Sequence, residues 1–308
     1  MTLIPAPHVL PYQGSKRKLA TDILSFFPDN IGCLYEPFAG SAAITLAAAA
    51  NDLAGRFVIG DKLEPLADLW TQVIDQPEVL AEEYASLWHD QLSDPAAFFL
   101  ETRKIFNVTG DAARLLYLVA RCVKNSIRFN GAGHFNQGAD KRRLGLRPEK
   151  LAREVMKTST ILQGRTKVVA GDFRDVIRDA GPDDLVYMDP PWQGTSGKKD
   201  PRYAFLLNLD ELIDELALLN ARRVPYILSF DGTCGDRDYG EALPESLKLR
   251  KINLNAGRSS QATLLGRDEV TIESLYLSNA LVGKLDGPPS RSACEVRHQI
   301  ELFETVDS

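Results

Sequence analysis

Close to its N-terminus the chain carries CLYEPFAGS at residues 33–41, followed by an alanine-rich run at residues 42–50. The apolar start, the turn of small residues and the alanine run predict a strand, a tight turn and a helix. A second apolar stretch at residues 57–60 ends in Asp61, about twenty residues after the turn. In nucleoside-binding folds an acid at that place accepts hydrogen bonds from ribose hydroxyls. The sequence therefore predicts an α/β protein with a Rossmann-like sheet.

The turn at residues 36–40 lacks the Gly-x-Gly-x-x-Gly spacing of dinucleotide-binding folds, which counts against a pyrophosphate cofactor. Glu36 would also repel a pyrophosphate at this position, because both groups are negatively charged. A carboxylate there suits a cofactor that carries a positively charged ammonium and a sulfonium group. The turn thus favours a cationic nucleoside cofactor.

A second stretch, DPPW at residues 189–192, follows the apolar run LVYM at residues 185–188. The amino group of a nucleobase is a poor nucleophile, because its lone pair is delocalised into the ring, and it needs acceptors for its hydrogens. Asp189 supplies one acceptor and the carbonyl of Pro190 another, and the two prolines restrict the backbone that holds both. The ring of Trp192 offers a face for base stacking, worth ~1 to 3 kcal/mol. The stretch predicts methylation of an exocyclic amino group.

Four motifs follow one another along the chain: YQGSK at residues 12–16, EPFAG at 36–40, GDF at 171–173 and DPPW at 189–192. In these motifs and their order the chain resembles the adenine-N6 DNA methyltransferases of the Dam type, the alpha group of the D12 class. The resemblance extends over about residues 12–279. The chain departs from that family in carrying Trp192 where tyrosine is usual, and Ala42 where a second glycine is common.

The resemblance implies S-adenosylmethionine as the cofactor and, as the target, an adenine that is swung out of the duplex. It places the amino acid part of the cofactor near the YQGSK motif, the ribose on Asp61 and the purine between Asp172 and Phe173. The cofactor contacts that it implies are Tyr12, Gly14, Lys16, Glu36, Phe38, Gly40, Asp61, Asp172, Phe173 and Asp189. The catalytic residues that it implies are Asp189, Pro190, Pro191 and Trp192.

The formal charge of −6 conceals a strongly basic segment. Residues 121–174 contain thirteen Lys or Arg and four Asp or Glu, a local charge of +9, so the rest of the chain carries −15. Attraction to phosphates depends on such a local patch rather than on the total charge. Glycines at residues 131 and 133 predict a loop or a short hairpin within the segment. The predicted DNA contacts are Arg128, Asn130, Asn136, Lys141, Arg142 and Arg143.

Apolar residues recur at helical spacing before that hairpin, at residues 95–123. We therefore predict a small helical target-recognition domain at residues 70–165, inserted into a catalytic domain made of residues 1–69 and 166–308. Residues 193–203 are rich in Gly, Ser and Lys, as expected of a lid over the substrate. The remaining predicted elements are strands at residues 166–170, 184–188 and 225–230, a helix at 210–221, and an antiparallel pair at 247–254 and 271–277.

Several kinds of site and location are disfavoured by the composition. The four cysteines and the four histidines are scattered, so neither a disulfide framework nor a metal site is predicted. No apolar stretch approaches the ~20 residues needed to span a membrane, and the N-terminus lacks a signal-peptide pattern. We expect a cytoplasmic, nucleoid-associated enzyme that binds double-stranded DNA without a metal or a membrane. The oligomeric state and a cognate restriction endonuclease are left open.

Three alternative functions remain open at this point. Cytosine-N4 methylation of DNA uses nearly the same geometry, although Asp189 in place of serine favours adenine. The DPPW spelling also resembles RNA adenine-N6 methyltransferases, whose motif order differs. A DNA-binding regulator without activity is the third alternative, and the acids Glu36, Asp61 and Asp189 argue against it. Cytosine-C5 methylation is disfavoured, because no cysteine lies near residues 189–192 to act as the nucleophile.

Overall fold

The computed structural model describes residues 3–191, 207–234, 237–239, 243–258 and 270–286. Trp192 and the predicted lid at residues 193–203 lie outside the described residues. The strands of the described part are β1 (Ile31–Glu36), β2 (Ala54–Asp61), β3 (Thr166–Ala170), β4 (Leu185–Met188), β5 (Tyr226–Cys234), β6 (Arg237–Tyr239), β7 (Arg250–Arg258) and β8 (Val270–Leu277). Its α-helices are α1 (Ala20–Leu24), α2 (Ala43–Ala50), α3 (Glu64–Asp75), α4 (Pro77–Asp90), α5 (Pro95–Thr109), α6 (Ala112–Arg121), α7 (Pro148–Leu162), α8 (Phe173–Val176), α9 (Leu209–Ala221) and α10 (Asn279–Leu285).

These strands form one sheet in the order β3-β2-β1-β4-β5-β8-β7, with β6 paired to β5 outside this path. Strand β1 pairs in parallel with β2 and β4, and the pairs β2–β3 and β4–β5 are parallel as well. The strand order therefore reverses between β1 and β4. Ligands of open α/β sheets bind at such a switch point, beyond the carboxyl ends of the strands. The topology confirms the predicted Rossmann-like α/β class.

Side chains of the central strands alternate between two hydrophobic clusters. Leu34 and Tyr187 belong to one cluster with helices α2, α3, α6 and α7, whereas Tyr35 and Val186 belong to the other with α8 and α9. Successive strand residues point to opposite faces of a sheet, so helices cover both faces. A strand that is buried on both sides carries apolar residues without interruption. This explains the run at residues 185–188.

Helices α3 to α7 lie between β2 and β3 in the described chain. Helices α5 and α6 confirm the helical prediction for residues 95–123. Asp94 and Asp111 cap their N-termini by accepting hydrogen bonds from backbone N–H groups of the first turn. Helix α3 packs against β2 and β3 as well as against α6 and α7. The domain boundary predicted between residues 69 and 70 thus falls inside α3.

The predicted antiparallel pair near the C-terminus is confirmed as β7 and β8. Strand β7 begins at Arg250 rather than at residue 247, because residues Glu245–Leu247 form a 3₁₀ helix and Lys248 adopts the left-handed conformation with φ 52°. Strand β8 also pairs antiparallel with β5. The start of β8 therefore lies at the edge where the parallel strands end.

Candidate active site at the carboxyl edge of the sheet

Three carboxyl groups meet at one edge of the sheet, because each ends or follows a parallel strand. Glu36 is the last residue of β1, Asp61 is the last residue of β2, and Asp189 directly follows β4. Strand β1 lies between β2 and β4, so the carboxyl ends of the three strands are adjacent. The switch point of the sheet thus lies between Glu36 and Asp189.

Glu36 is buried, with 3% of its surface exposed. Its Oε2 atom accepts a hydrogen bond of 2.8 Å from the backbone N–H of Thr45, in the first turn of α2. Burial raises the pKa of Glu36 to about 7, and the charge of Asp189 adds to the rise, although hydrogen bonds from Thr45 and Ile44 oppose it. A cationic group beside Glu36 would favour its ionised form.

Asp61 joins the end of β2 to the turn that follows β1. Its Oδ2 atom accepts a hydrogen bond of 3.2 Å from the N–H of Gly40, and Oδ1 accepts one of 2.9 Å from the N–H of Leu63. Desolvation raises the pKa of Asp61, and the backbone N–H groups of Leu63, Gly40 and Lys62 oppose that rise. The carboxyl group is therefore fixed in position at the sheet edge.

The turn between β1 and α2 contains two residues with left-handed backbone, Gly40 with φ 49° and Ala42 with φ 47°. Glycine is favoured in this conformation because a Cβ atom crowds the backbone there. The conformation explains why a second glycine is common at the position of Ala42. A Cβ atom on Gly40 would lie 3.2 Å from the ring of Tyr12. The carbonyl of Gly40 accepts a hydrogen bond of 3.0 Å from the indole of Trp70. The structure thus brings Tyr12 and Gly40 together.

The YQGSK motif is held beside this turn and against the helical segment. Gly14 has left-handed backbone with φ 86°. The hydroxyl of Ser41 donates a hydrogen bond of 2.8 Å to that of Ser15, and the N–H of Gln13 donates one of 2.9 Å to the carbonyl of Asn125. The predicted cofactor motif therefore connects the sheet edge with the basic segment.

Lys16 places its ammonium group between two carboxylates. Its Nζ atom lies 2.9 Å from Oδ1 of Asp189 and 3.3 Å from Oε2 of Glu273, and Lys16 is only 8% exposed. Burial raises the pKa of Asp189 to about 6. The charge of Glu273 adds to this rise, and the ammonium of Lys16 opposes it. Above that pH Asp189 is an ionised acceptor, as the predicted chemistry requires.

Glu273 was not predicted from the sequence. Glu273 lies in β8. It reaches the carboxyl edge of the parallel strands because β8 runs antiparallel to its neighbour β5. The single charged residue in a predicted strand was the signal that could have identified it.

The two prolines continue directly from this ion pair. Pro190 is buried and Pro191 is half-buried. Since Asp189 precedes them, its carboxylate and the carbonyl of Pro190 belong to one stiff segment.

Two aromatic rings and a further acid line the edge near β3. The rings of Phe38 and Phe173 stack with a centroid distance of 5.2 Å and an angle of 26°. Asp172 accepts hydrogen bonds from the backbone N–H of Arg174 at 3.1 Å and from its Nε at 2.7 Å. Burial alone would raise the pKa of Asp172, but the bonds from Arg174 and the charge of Lys62 outweigh it, and the pKa is lowered. Asp172 is thus an anion whose side chain is already engaged.

The predicted hairpin in the basic segment spans Arg128 to Asn136. The N–H of Asn136 donates to the carbonyl of Arg128, and the N–H of Asn130 donates to the carbonyl of His134, each at 2.9 Å. The side-chain oxygen of Asn130 accepts from the N–H groups of Ala132 and His134. Asn130 therefore stabilises its own turn, while the side chain of Asn136 is exposed.

The basic cluster that follows the hairpin divides into two kinds of residue. Lys141 and Arg142 are exposed. Arg143 is exposed as well, but its guanidinium donates hydrogen bonds to the carboxylate of Asp140 at 2.9 Å and to Oδ1 of Asn125 at 3.0 Å. Arg143 thus holds the loop, whereas Lys141 and Arg142 extend into solvent.

Arg121 is included in the local charge of +9, yet it is 3% exposed. Its guanidinium donates to the carbonyls of Pro95, Asp140 and Arg143. The charge available to a phosphate is therefore smaller than the sequence count.

Within the ranges that the structure describes, no group of three or more His, Cys, Asp or Glu side chains is placed to hold a metal ion. In the same ranges, no helix has the length and apolar character that crossing a lipid bilayer requires.

Comparison with known proteins agrees with the motifs. The type II methyltransferase M1.LlaDCHI of Lactococcus lactis subsp. cremoris is 26% identical over 191 residues, covering 59% of this chain and 64% of that enzyme. The DNA N-6-adenine-methyltransferase of Escherichia phage P1 is 25% identical over 185 residues, covering 60% and 24%. The retron Ec67 DNA adenine methylase of Escherichia coli is 25% identical over 270 residues, covering 83% and 88%. The match thus spans less than two thirds of the first two relatives.

A family model described as D12 class N6 adenine-specific DNA methyltransferase matches residues 12–213. The match covers more than half of the chain and contains the four motifs together with the acids Glu36, Asp61 and Asp189. The chain belongs to the D12 class of N6 adenine-specific DNA methyltransferases.

Proposed function

We propose that this protein transfers a methyl group to the N6 atom of adenine in double-stranded DNA at a short defined sequence. The observation that carries the proposal is the position of Asp189, a partly buried acid beside Lys16 at the switch point of the sheet and directly before two prolines. Family membership supports the same chemistry.

The acids at the edge suit S-adenosylmethionine as the methyl donor. Burial raises the pKa values of Glu36, Asp61 and Asp189 together, so the edge favours a cationic ligand that would stabilise ionised carboxylates. We infer that Tyr12, Gly14, Lys16 and Gly40 hold its amino acid part. When bound, this cofactor supplies a methyl group that is activated by a positively charged sulfur.

The remaining cofactor contacts follow from the neighbouring strands. We infer that Asp61 binds the ribose and that the stacked rings of Phe38 and Phe173 border the purine. Asp172 would accept a hydrogen bond from the exocyclic amino group of that purine. Because Asp172 already binds Arg174, the guanidinium must share that carboxylate or turn away from it.

The catalytic step depends on acceptors for the N6 hydrogens. The carboxylate of Asp189 accepts one hydrogen bond and the carbonyl of Pro190 the other, while Pro191 helps to keep both at a constant geometry. The two acceptors stabilise positive charge that grows on nitrogen during attack, a contribution of preorganised electrostatics rather than of a covalent intermediate. We propose that Trp192 stacks on the flipped adenine.

The basic segment is proposed to bind the duplex. Residues 70–165 would form the target-recognition domain, with Lys141 and Arg142 on phosphates and the hairpin residues Arg128 and Asn136 near the flipped base. Arg143 and Asn130 support these contacts through the loop and turn that they stabilise. We expect the protein to act in the cytoplasm, where it would associate with the nucleoid.

A cognate restriction endonuclease is a further proposed partner, supported by the name of the Lactococcus relative, a type II methyltransferase. In that case, DNA methylated by this protein should resist cleavage by an extract of its native host, and unmethylated DNA should be cut. Equal cleavage of both would favour a solitary enzyme.

The function is tested by incubation with labelled S-adenosylmethionine and duplex DNA, single-stranded DNA or structured RNA, followed by nucleoside analysis. We expect label in duplex DNA as N6-methyladenine, and none with Asp189→Ala. Label in RNA alone would favour an RNA methyltransferase, and N4-methylcytosine would favour the cytosine reaction. DNA binding without any transfer would favour an inactive regulator.

A further inference from the structure

Lys16 bridges two carboxylates that come from different parts of the sheet. Its ammonium lies 2.9 Å from Asp189, which follows β4, and 3.3 Å from Glu273 in β8. Glu273 is 15% exposed and Asp189 is 21% exposed, so little water screens either pair. A short distance between charges that are at least partly buried makes each of them sensitive to the other two.

The charges around Asp189 are not balanced. Glu36 and the phenol of Tyr187 face the same region, since the charge of Asp189 raises the pKa of both groups. In the described part of this cluster, the Lys16 ammonium is paired with two of these acids, Asp189 and Glu273. The negative charge of Glu273 offsets part of the stabilisation that Lys16 gives to the ionised form of Asp189.

We propose that Glu273 is a positioning residue, which holds the far side of the Lys16 ammonium and so controls how strongly Lys16 stabilises the ionised form of Asp189. The proposal deepens the proposed function, because the ionised carboxylate of Asp189 is the stronger acceptor for a hydrogen bond from the target amine. Glu273 itself touches neither the base nor the cofactor in this scheme.

The charge of Glu273 and its hydrogen-bonding capacity can be separated by substitution. Glu273→Gln keeps the size of the side chain and an oxygen beside Lys16 but removes the negative charge, so the repulsion on Asp189 is lost and the pKa of Asp189 falls. Glu273→Ala removes both properties and leaves Lys16 without its second partner. The matched control is Glu101→Gln, on an exposed glutamate of α5 that is 61% exposed.

The first experiment measures single-turnover methyl transfer to duplex DNA between pH 5 and pH 8.5. We expect the acid limb of the profile to move to lower pH by roughly half a unit or more in Glu273→Gln, with no movement in Glu101→Gln. Glu273→Ala should lower the maximal rate at every pH. An unmoved acid limb in a folded Glu273→Gln protein would overturn the proposal and leave Glu273 a structural role.

The second experiment does not require activity, and so separates this proposal from the proposed function. Because the pKa of Asp189 is raised by folding, the stability of the ligand-free protein should fall as the pH rises through the window from about 4 to about 6. Glu273→Gln should reduce that fall, but it should not reduce it in an Asp189→Asn background. Equal effects in both backgrounds would show that Glu273 does not act on Asp189. If this coupling were present without methyl transfer to any nucleic acid, only the proposed function would fail.

Discussion

The carboxylate of Asp61 accepts a hydrogen bond of 3.2 Å from the backbone N–H of Gly40, which links the end of β2 to the left-handed turn after β1. Two motifs that are separated in sequence thus form one cradle. The same oxygen atoms are those proposed to meet the ribose of the cofactor. Asp61 therefore shapes the site as well as contacting its ligand.

Asp61→Ala should weaken S-adenosylmethionine binding without changing the affinity for duplex DNA. The change removes the ribose acceptor and releases Gly40, whereas the basic segment lies elsewhere. Calorimetry for the cofactor and fluorescence anisotropy for DNA measure the two affinities. The control is Asp68→Ala, an exposed acid of α3. A loss of DNA affinity alone would contradict the cofactor placement.

Asp189→Ala should abolish methyl transfer while cofactor binding falls only modestly. Losing one preorganised partner of the reacting group raises the barrier by ~3 to 4 kcal/mol. Single-turnover rates on a methylatable duplex measure the change, with circular dichroism as the check on folding. Unchanged turnover would remove Asp189 from the mechanism.

Cofactor binding should strengthen as the pH rises through about 7 and should release a proton from Glu36. The free protein holds Glu36 partly protonated at neutral pH because the group is buried, and a cationic ligand favours its ionised form. Calorimetry in buffers of different ionisation enthalpy counts the protons released. In Glu36→Gln the proton release should disappear and binding should weaken. A wild-type affinity that is independent of pH between 6 and 8 would contradict this assignment.

Glu36→Gln should also raise the stability of the ligand-free protein at pH 8, although it weakens cofactor binding. The pKa of Glu36 rises from 4.5 to about 7 on folding, so the wild-type protein loses stability as the pH rises between these values. The neutral amide avoids that loss, which is on the order of 1 to 3 kcal/mol at pH 8. Thermal unfolding of both ligand-free proteins against pH tests the sign.

Neutralising Lys141 and Arg142 should lower the affinity for every duplex and flatten its dependence on salt by about one unit of slope per lost phosphate contact. Arg143→Ala should instead lower thermal stability, because its guanidinium holds Asp140 and Asn125. Arg56→Ala is the control for loss of a positive charge outside the basic segment, since Arg56 lies near the amino end of β2. An unchanged salt slope in the double variant would show that the pair faces solvent only.

Gly60→Ala should destabilise the protein by about 1 to 3 kcal/mol, as overpacked cores do. The added Cβ atom would overlap the side chain of Val176 in α8, immediately before Asp61 in the chain. Pushing α8 away would also move Phe173 from the edge and weaken cofactor binding. Val176→Ala in the same protein provides the space and should restore part of both properties, as chemical denaturation and calorimetry would show. No rescue by Val176→Ala would point to another cause.

The features that depend on local sequence could be predicted. The strand and helix around Gly40 and the segment around Asp189 follow from short apolar runs and from the preferences of glycine and proline. Features that depend on the pairing of strands distant along the chain could not be predicted. Glu273 reaches Lys16 only because β8 runs antiparallel beside β5. The spacing of residues in the sequence does not reveal the direction of a strand in the sheet.

In the basic segment, too, some features could be predicted from the local sequence and others could not. Glycine content predicted the hairpin, and the structure confirms it. Charge counting treated every arginine as equivalent, yet burial separates Arg121 from Lys141 and Arg142. Which cations remain available to a phosphate is a property of packing, and the count of charges in a segment does not contain it.

The guanidinium of Arg121 joins three backbone carbonyls, at the start of α5 and at two places in the loop before α7. Opening any of these segments by itself would leave buried donors without partners, which costs more than opening them together. The start of α5 and the loop before α7 therefore form one cooperative unit of local unfolding. The amide hydrogens of Ala96, Ala97, Asp140 and Arg142 should exchange with solvent through a common opening event, and a single mutation at residue 121 should accelerate all four.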